Sequence, residues 1–293
     1  MVIDMMHRMT NVLDREEYIE QAYFFRTMRE RLETRMPTQQ ILDHLPEEIL
    51  STTRLPIAVQ FIGAEVKHTG LLSSGFVKLP HYFTPFQAFV VRNTEDEKKK
   101  FSVEIGLLIL EREAQYRSGT PTPAGLFVYE FEALSRNRLG YDEGLRCMRQ
   151  DAFFDDAWRG YFDMVNRQVG VVDFADLVYV RSELYVLDQR RLDPGYDVPV
   201  PVLFGEKEGK IAKANRGRDP LYLFAALQRQ LGYPEVPRSR PKDDPVAQLE
   251  AVKVKMRELE IRIKLLEGEV KGRVDLSEFM AKPELLQRPD DVE

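Results

Sequence analysis

The chain has 293 residues, of which 43% are apolar and 31% are charged, a composition that excludes a disordered protein and permits a sizeable buried core. The net charge of −6 disfavours general binding to nucleic acid or anionic membranes, and no run approaches the ~18 apolar residues of a membrane span. Because a single cysteine, Cys147, excludes an intrachain disulfide and is typical of a reducing compartment, we expect a cytoplasmic protein.

The first 70 residues predict four helices. Asp14 is followed by Glu17 at the spacing of a capping box, and an apolar stripe continues behind it at helical intervals. Two shorter helices are predicted over 38–45 and 46–51, because proline is tolerated in the first turn of the second. The segment 52–70 is rich in Ile and Val, but its early proline and closing glycine favour a helix.

Two further capping boxes predict the helices that follow. Thr84 precedes Gln87, with proline at the first helical position, and Thr94 precedes Glu97 at the start of a long helical pattern. The segment 126–131 fits a strand by residue type, or a helix that begins at the preceding Thr-Pro pair. The sequence leaves both alternatives open.

The second half of the body is also mostly helical in pattern. The strongest helix covers 152–169 and has one broad aromatic face. The segment 177–188 fits either a pair of strands or a packed helix, whereas the prolines of 193–205 favour an extended chain. A short helix is predicted over 219–232. The fold class is therefore mainly α, with α+β left open if 126–131 and 177–188 contribute a few short strands.

A change in composition after the body predicts four regions. A mostly helical globular body covers 1–231, and a proline-rich linker, 232–245, follows it. A coiled-coil-like helix, 246–271, comes next. The tail, 272–293, either docks on the body or forms a short segment that binds a partner protein, which the sequence does not identify.

Residues 248–270 carry the clearest pattern in the chain. With Leu249 at heptad position a, every a and d position is apolar, and two turns combine a β-branched residue at a with leucine at d. Lys255 and Arg262 would each face a glutamate of a second copy. We therefore predict a parallel homodimer, with trimers as an alternative. The predicted oligomerisation residues are Leu249, Val252, Met256, Leu259, Ile263, Leu266 and Val270.

The same segment also has features that oppose a simple dimer. Val254, Ile261 and Leu265 form a second apolar stripe at positions that face water in a two-stranded coil. Burying seven core side chains contributes roughly 10–20 kcal/mol per chain, and ordering the segment costs a comparable amount. One alternative is that this helix packs on its own body or on another protein. Another is a strand, because parts of the segment also alternate between apolar and charged residues.

One motif suggests a metal site. Glu65 and His68 form a Glu-x-x-His pair on a predicted helix, the spacing that di-metal helical bundles use. The chain contains no second motif of this kind. A helical-bundle metalloprotein is therefore an alternative, whereas the simpler interpretation has His68 at a helix C-terminus beside free carbonyl groups. No other cofactor is predicted.

A basic stretch over 207–218 suggests a second alternative, the binding of nucleic acid or phosphate. Its glycine spacing does not match a phosphate-binding loop, and no interleaved aromatic residues indicate base stacking. Two glutamates also offset its charge, so nucleic acid is disfavoured as a partner. The residues of this patch are Lys207, Lys210, Lys213, Arg216 and Arg218.

The leading functional hypothesis is a non-catalytic assembly or adaptor protein that self-associates through its C-terminal coiled coil. Cys147 is expected to be a buried small hydrophobic residue rather than a nucleophile, because no histidine is near it in the sequence. The pattern identifies no catalytic residue and no substrate.

Overall fold

Helices provide nearly all the regular structure of this protein. The structure is a computed structural model that describes residues 13–99, residues 101–238 and six residues of the C-terminal region: Lys253, Met256, Arg257, Leu259, Glu260 and Ile263. The chain divides into two units, Met1–Ser239 and Arg240–Glu293.

Thirteen helices follow one another in the described part of the first unit, where the remaining regular structure is two isolated β-bridges. This confirms the mainly α fold class. The helices are α1 (Arg15–Glu33), α2 (Thr38–Glu48), α3 (Leu55–Thr69), α4 (Leu72–Lys78), α5 (Pro85–Glu95), α6 (Val103–Ser118), α7 (Pro123–Asn137), α8 (Tyr141–Gln150), α9 (Asp156–Gln168), α10 (Phe174–Tyr179), α11 (Glu183–Leu192), α12 (Glu206–Ala214) and α13 (Pro220–Leu231).

Both segments that the sequence leaves open are helical. Residues 126–131 belong to α7, which begins where the Thr122 side chain accepts a hydrogen bond from the Gly125 N–H at 3.1 Å. Residues 177–188 are divided between α10 and α11 by a turn. The Ser182 hydroxyl caps α11 by accepting from the Tyr185 N–H. The capping residues therefore outweigh the strand propensity of these Val- and Tyr-rich runs.

The predicted capping box at the start of α1 is wrong. Asp14 precedes the helix, but its side chain makes no capping hydrogen bond. The Glu17 carboxylate instead accepts hydrogen bonds from the Arg54 N–H at 2.9 Å and from the Tyr82 hydroxyl at 2.6 Å. The Glu17 side chain, which the sequence pattern assigns to a capping box, therefore makes tertiary contacts instead.

Two other boundaries also differ from prediction. Thr94 does not begin a helix but lies inside α5, where its hydroxyl donates to the Val91 carbonyl, and the next helix begins at Val103. The helices predicted over 38–45 and 46–51 form the single helix α2, which continues through Pro46 and ends at Glu48. The proline removes one backbone donor only two residues before the end of the helix.

Other start and stop signals are confirmed. The Gln87 N–H donates to the Thr84 hydroxyl and the Thr84 N–H donates to the Gln87 side chain, both at 3.1 Å, which completes a capping box. Helices α3 and α13 are each followed by a glycine, Gly70 and Gly232, whose φ angles of 75° and 69° lie in the left-handed region that favours glycine.

The core is rich in aromatic residues and includes residues from Leu13 to Val236. The predicted aromatic face of α9 is confirmed, because Trp158, Tyr161 and Phe162 are buried. Their rings lie 5.3–5.5 Å from the ring of Phe127 on α7, within the range of favourable aromatic pairs. Phe204, from the extended segment that follows α11, packs against Trp158 and Tyr161.

The start of the predicted proline-rich linker contacts the helical body. Tyr233 is buried and its hydroxyl donates to the Glu132 carboxylate of α7 at 2.8 Å. The Asn137 side chain donates to the Pro237 carbonyl at 2.9 Å. These contacts attach residues 233–237 to α7, and most of the remaining predicted linker lies outside the described residues. Within the described ranges, no helix has both the length and the apolar content needed to cross a membrane.

Candidate functional site

Three of the seven predicted oligomerisation residues belong to the described part of the chain. Met256, Leu259 and Ile263 are helical, and their exposed fractions are 56%, 55% and 53%. Residues three and four apart on a helix share one face, so these side chains form an apolar stripe that the single chain leaves uncovered. Four predicted residues lie outside the described residues: Leu249, Val252, Leu266 and Val270.

The basic stretch lies on α12 and in the turn after it, and much of its charge is already paired. Lys210, Lys213 and Arg216 each place a nitrogen within 2.6 Å of a carboxylate oxygen, on α12, α11 and α10 respectively. Of the five residues, only Lys207 and Arg218 have no such carboxylate in the described part of the chain. The arrangement is a network of ion pairs more than an open cationic patch.

The predicted metal pair lies on α3, where Glu65 has other partners. Its Oε2 atom accepts from the Lys78 ammonium at 2.7 Å and from the Ser74 hydroxyl at 3.0 Å. The hydrogen bond from Lys78 holds the pKa of Glu65 below its ordinary value. In residues 13–99 and 101–238, no group of three or more His, Cys, Asp or Glu side chains is arranged to hold a metal ion. The contacts of Glu65 explain its position without a metal.

Cys147 lines a recess of about 200 Å³ between α4, α5 and α8. The walls include Phe76, Phe83 and Phe89, and Arg92 at the edge is paired with a glutamate of α8. Burial raises the pKa of the Cys147 thiol to about 11, so the thiol stays protonated at neutral pH and is a weak nucleophile. Cys147 is only partly buried, which differs from the buried position that the sequence predicts, and it packs against the core as a small hydrophobic residue.

A buried ionic cluster surrounds Arg117 at the end of α6. Its Nε lies 2.7 Å from Glu113 Oε1, and its Nη2 lies 3.1 Å from Glu130 Oε1 and 2.5 Å from Asp151 Oδ2. All four side chains are at most 6% exposed. The guanidinium carbon also lies 5.7 Å from the centre of the Phe153 ring. One cation therefore faces three buried carboxyl groups.

The charge imbalance of this cluster favours protonated carboxyl groups. Burial raises the pKa values of Glu113 and Glu130, and the charge of Arg117 only partly opposes this effect. For Arg117, burial lowers the pKa, but the three carboxylates outweigh it and the net shift is strongly upward. Glu113 Oε2 and Glu130 Oε2 have no hydrogen-bond partner among the described residues. The Glu113 and Glu130 side chains are fully enclosed, whereas Asp151 lines a recess that opens beside Tyr18 and Tyr82.

A second buried arginine, Arg181, lies in the turn between α10 and α11. It is 7% exposed, and its Nε donates to the Pro201 carbonyl at 2.9 Å. Its guanidinium carbon lies 5.4 Å from the centre of the Tyr161 ring. No carboxylate of the described residues forms an ion pair with it. Burial lowers the pKa of Arg181, as expected for a cation without a countercharge.

Neither buried arginine stands out in the sequence by a motif. The pair Glu113 and Arg117 has the i,i+4 spacing of an ordinary surface ion pair. The one available signal for Arg181 is a cation inside a Val- and Tyr-rich run, which is unusual for a segment that is otherwise buried. Glu130 and Asp151 reach Arg117 only through the packing of α6, α7 and the loop after α8.

Comparison of the chain with family models, curated proteins and solved structures found no match. Functional inference therefore rests on the residues themselves.

Proposed function

We propose that this chain is a non-catalytic assembly protein that forms a parallel homodimer through residues 248–270. The observation that carries the proposal is the apolar stripe of Met256, Leu259 and Ile263, each more than half exposed in the single chain. Soluble proteins rarely leave a continuous apolar stripe facing water. A second copy of the same helix is the partner that would cover it.

The charges beside the stripe support a second copy as the occupant. In a parallel pair, position g of one helix faces position e of the next heptad on its partner. This relation matches Lys255 with Glu260 and Arg262 with Glu267 across the pair. A helix that only covered its own body would not need opposite charges at these intervals.

The strength of the pair is expected to be modest. Burying one Leu, Ile, Met or Val side chain contributes about 1.5–3 kcal/mol, and three heptads supply seven such side chains per chain. Much of this gain offsets the entropy lost on ordering the helix. We therefore expect association that depends on protein concentration, and a third helix over Val254, Ile261 and Leu265 would strengthen it.

The first experiment compares the full chain with a chain that ends at Arg240, by light scattering coupled to size exclusion. The proposal predicts a dimer or trimer for the full chain and a monomer for the shortened chain. The double variant Leu259→Asp/Ile263→Asp should also be a monomer, because it introduces two charges into the apolar stripe. Its helical circular dichroism should show that the body stays folded.

A matched control places the same chemistry on another face of the helix. Val254→Asp/Ile261→Asp also replaces two β-branched or aliphatic residues with aspartate, but at positions that face water in a two-stranded coil. It should leave a dimer intact and disrupt a trimer whose third helix covers Val254 and Ile261. If Leu259→Asp/Ile263→Asp keeps the oligomeric state of the parent chain, the proposal is wrong.

The two alternative functions have their own tests. A metal site at Glu65 and His68 predicts stoichiometric iron, manganese or zinc in protein purified without a tag. Nucleic-acid binding through 207–218 predicts steeply salt-dependent affinity. The ion pairs of Glu65 and of three of the five basic residues favour neither alternative.

A further inference from the structure

Arg181 has hydrogen-bonding capacity that the protein does not use. A guanidinium carries five N–H donors, and one of them binds the Pro201 carbonyl. The terminal nitrogens, Nη1 and Nη2, have no acceptor among the described residues. They are not enclosed, because no Arg181 atom belongs to the set of enclosed side-chain nitrogens and oxygens that lack a partner. They are therefore reachable from solvent, although the residue is only 7% exposed.

The position of Arg181 is held by its surroundings. Its backbone carbonyl accepts hydrogen bonds from the N–H groups of Leu203 and Phe204 at 2.9 and 3.1 Å. With the Nε bond to Pro201, these contacts attach the residue to the extended segment after α11 at both main chain and side chain. The Tyr161 ring lies beneath the guanidinium and limits the orientation of its plane. The terminal nitrogens are thus presented in one orientation.

A purely structural role leaves the charge of Arg181 unexplained. Withdrawing a cation from water without a countercharge costs desolvation free energy. The contacts with one aromatic ring and one carbonyl offset only part of that cost. Water can accept hydrogen bonds from the terminal nitrogens, but it supplies no negative charge. An anion would supply both the hydrogen-bond acceptors and the negative charge.

A second unused donor belongs to the same arrangement. The Tyr161 hydroxyl is buried and has no hydrogen-bond partner among the described residues, and it is part of the ring that the guanidinium covers. Buried polar atoms without partners are uncommon in folded proteins. An enclosed hydroxyl without a partner, on the ring packed against a guanidinium with unused N–H groups, indicates a place where the protein has donors and lacks an acceptor.

We propose that Arg181 is the anchor of a binding site for a small oxyanion, a carboxylate or phosphate group held by the two terminal nitrogens of the guanidinium. The planar fork of arginine matches two oxygens of either group. Arg181 is not one of the five cations of the basic stretch over 207–218, most of which already have carboxylate partners. It is also independent of self-association through 248–270.

The test measures the thermal unfolding of the full chain against increasing inorganic phosphate, and separately against acetate, at constant ionic strength. A ligand that binds only the folded state raises the unfolding midpoint in a saturable way. Phosphate also stabilises proteins generally, so each curve is compared with that of Arg181→Gln. The wild-type chain should show a saturable increase that Arg181→Gln lacks, with affinity at least about tenfold weaker in the variant.

Two further variants make the test specific. Arg218→Gln removes an exposed arginine from the basic stretch and should leave the saturable increase unchanged. Arg181→Lys keeps the positive charge but loses the planar fork, so affinity should fall several-fold. Arg181→Lys also decides the question if Arg181→Gln does not fold by circular dichroism.

The outcomes separate the two ligand groups. A saturable, Arg181-dependent increase with phosphate alone assigns a phosphate group, and one with acetate assigns a carboxylate. The proposal is overturned if neither probe gives a saturable increase. It is also overturned if Arg181→Gln, or Arg181→Lys where it is the deciding variant, responds like the wild-type chain.

Discussion

Two arginines of this protein are buried to nearly the same extent and have opposite surroundings. Arg117 is 5% exposed and Arg181 is 7% exposed. Arg117 contacts three carboxyl groups, whereas Arg181 contacts a backbone carbonyl and an aromatic ring. Burial alone therefore does not tell what a charged side chain does. The arginine with a countercharge, Arg117, is one that the fold depends on, whereas the arginine without one, Arg181, is available to a ligand.

The largest expected effect follows from replacing each arginine with methionine. Arg117→Met leaves three carboxyl groups buried without their cation, so the free energy of unfolding should fall by about 3–5 kcal/mol. Arg181→Met should change it by no more than about 1 kcal/mol, because the lost hydrogen bond is offset by removal of an unpaired charge. Equilibrium denaturation in urea, without phosphate, measures both values.

A rescue experiment sharpens this contrast. Adding Glu113→Gln and Glu130→Gln to Arg117→Met should recover part of the lost stability, because neutral amides remove the uncompensated negative charge. Equal losses from Arg117→Met and Arg181→Met would contradict the view that the countercharge is what distinguishes the two sites.

A smaller effect is expected from Glu130→Gln. Burial raises the pKa of Glu130 above its unfolded value, so its contribution to stability is fully present below the unfolded pKa and is lost as the pH rises through the folded pKa. Near neutral pH the substitution should increase the free energy of unfolding by about 1–2 kcal/mol, the scale of a buried oxygen without a partner. Denaturation curves between pH 4.5 and pH 8 should show this gain shrinking toward acid pH.

An exposed glutamate provides the control for that pH profile. The hydrogen bond from Lys210 lowers the pKa of Glu206, so its contribution is present above the unfolded pKa and is lost as the pH falls through the folded pKa. Glu206→Gln should therefore change the profile in the opposite direction. A Glu130→Gln profile parallel to that of the wild-type chain would show that Glu130 is ionised at all these values.

The same contrast explains how far the sequence predicts this protein. Local signals placed most helices: the capping box at Thr84, the closing glycines and the aromatic face of 152–169 need only neighbouring residues. Glu17 failed as a helix cap because Tyr82 and Arg54 use its carboxylate from other parts of the chain. Contacts of that kind have no periodic signature.

The candidate sites divide in the same way. The stripe of Met256, Leu259 and Ile263 is visible as a heptad pattern, because a helix face depends only on spacing. The difference between Arg117 and Arg181 is invisible in the sequence, because it depends on whether residues 13 or 34 positions away bring a carboxylate. The spacing of residues predicts which side chains share a helix face, whereas the presence of a countercharge beside a buried arginine is known only from the tertiary structure.

The smallest expected effect repeats the comparison with two buried tyrosines. The Tyr129 hydroxyl donates to the Ile109 carbonyl at 2.7 Å, whereas the Tyr161 hydroxyl has no partner among the described residues. Tyr129→Phe should lower the free energy of unfolding by about 1 kcal/mol, the value of one neutral hydrogen bond. Tyr161→Phe should leave it unchanged or raise it by up to about 1 kcal/mol, because it removes a buried polar atom that gains nothing from burial. Urea denaturation of the two variants, in the same buffer without phosphate, gives the difference directly. A loss of stability in Tyr161→Phe as large as that in Tyr129→Phe would mean that the Tyr161 hydroxyl has an acceptor in solution. That acceptor would then be an ordered water beside Arg181, which an oxyanion would have to displace in order to bind.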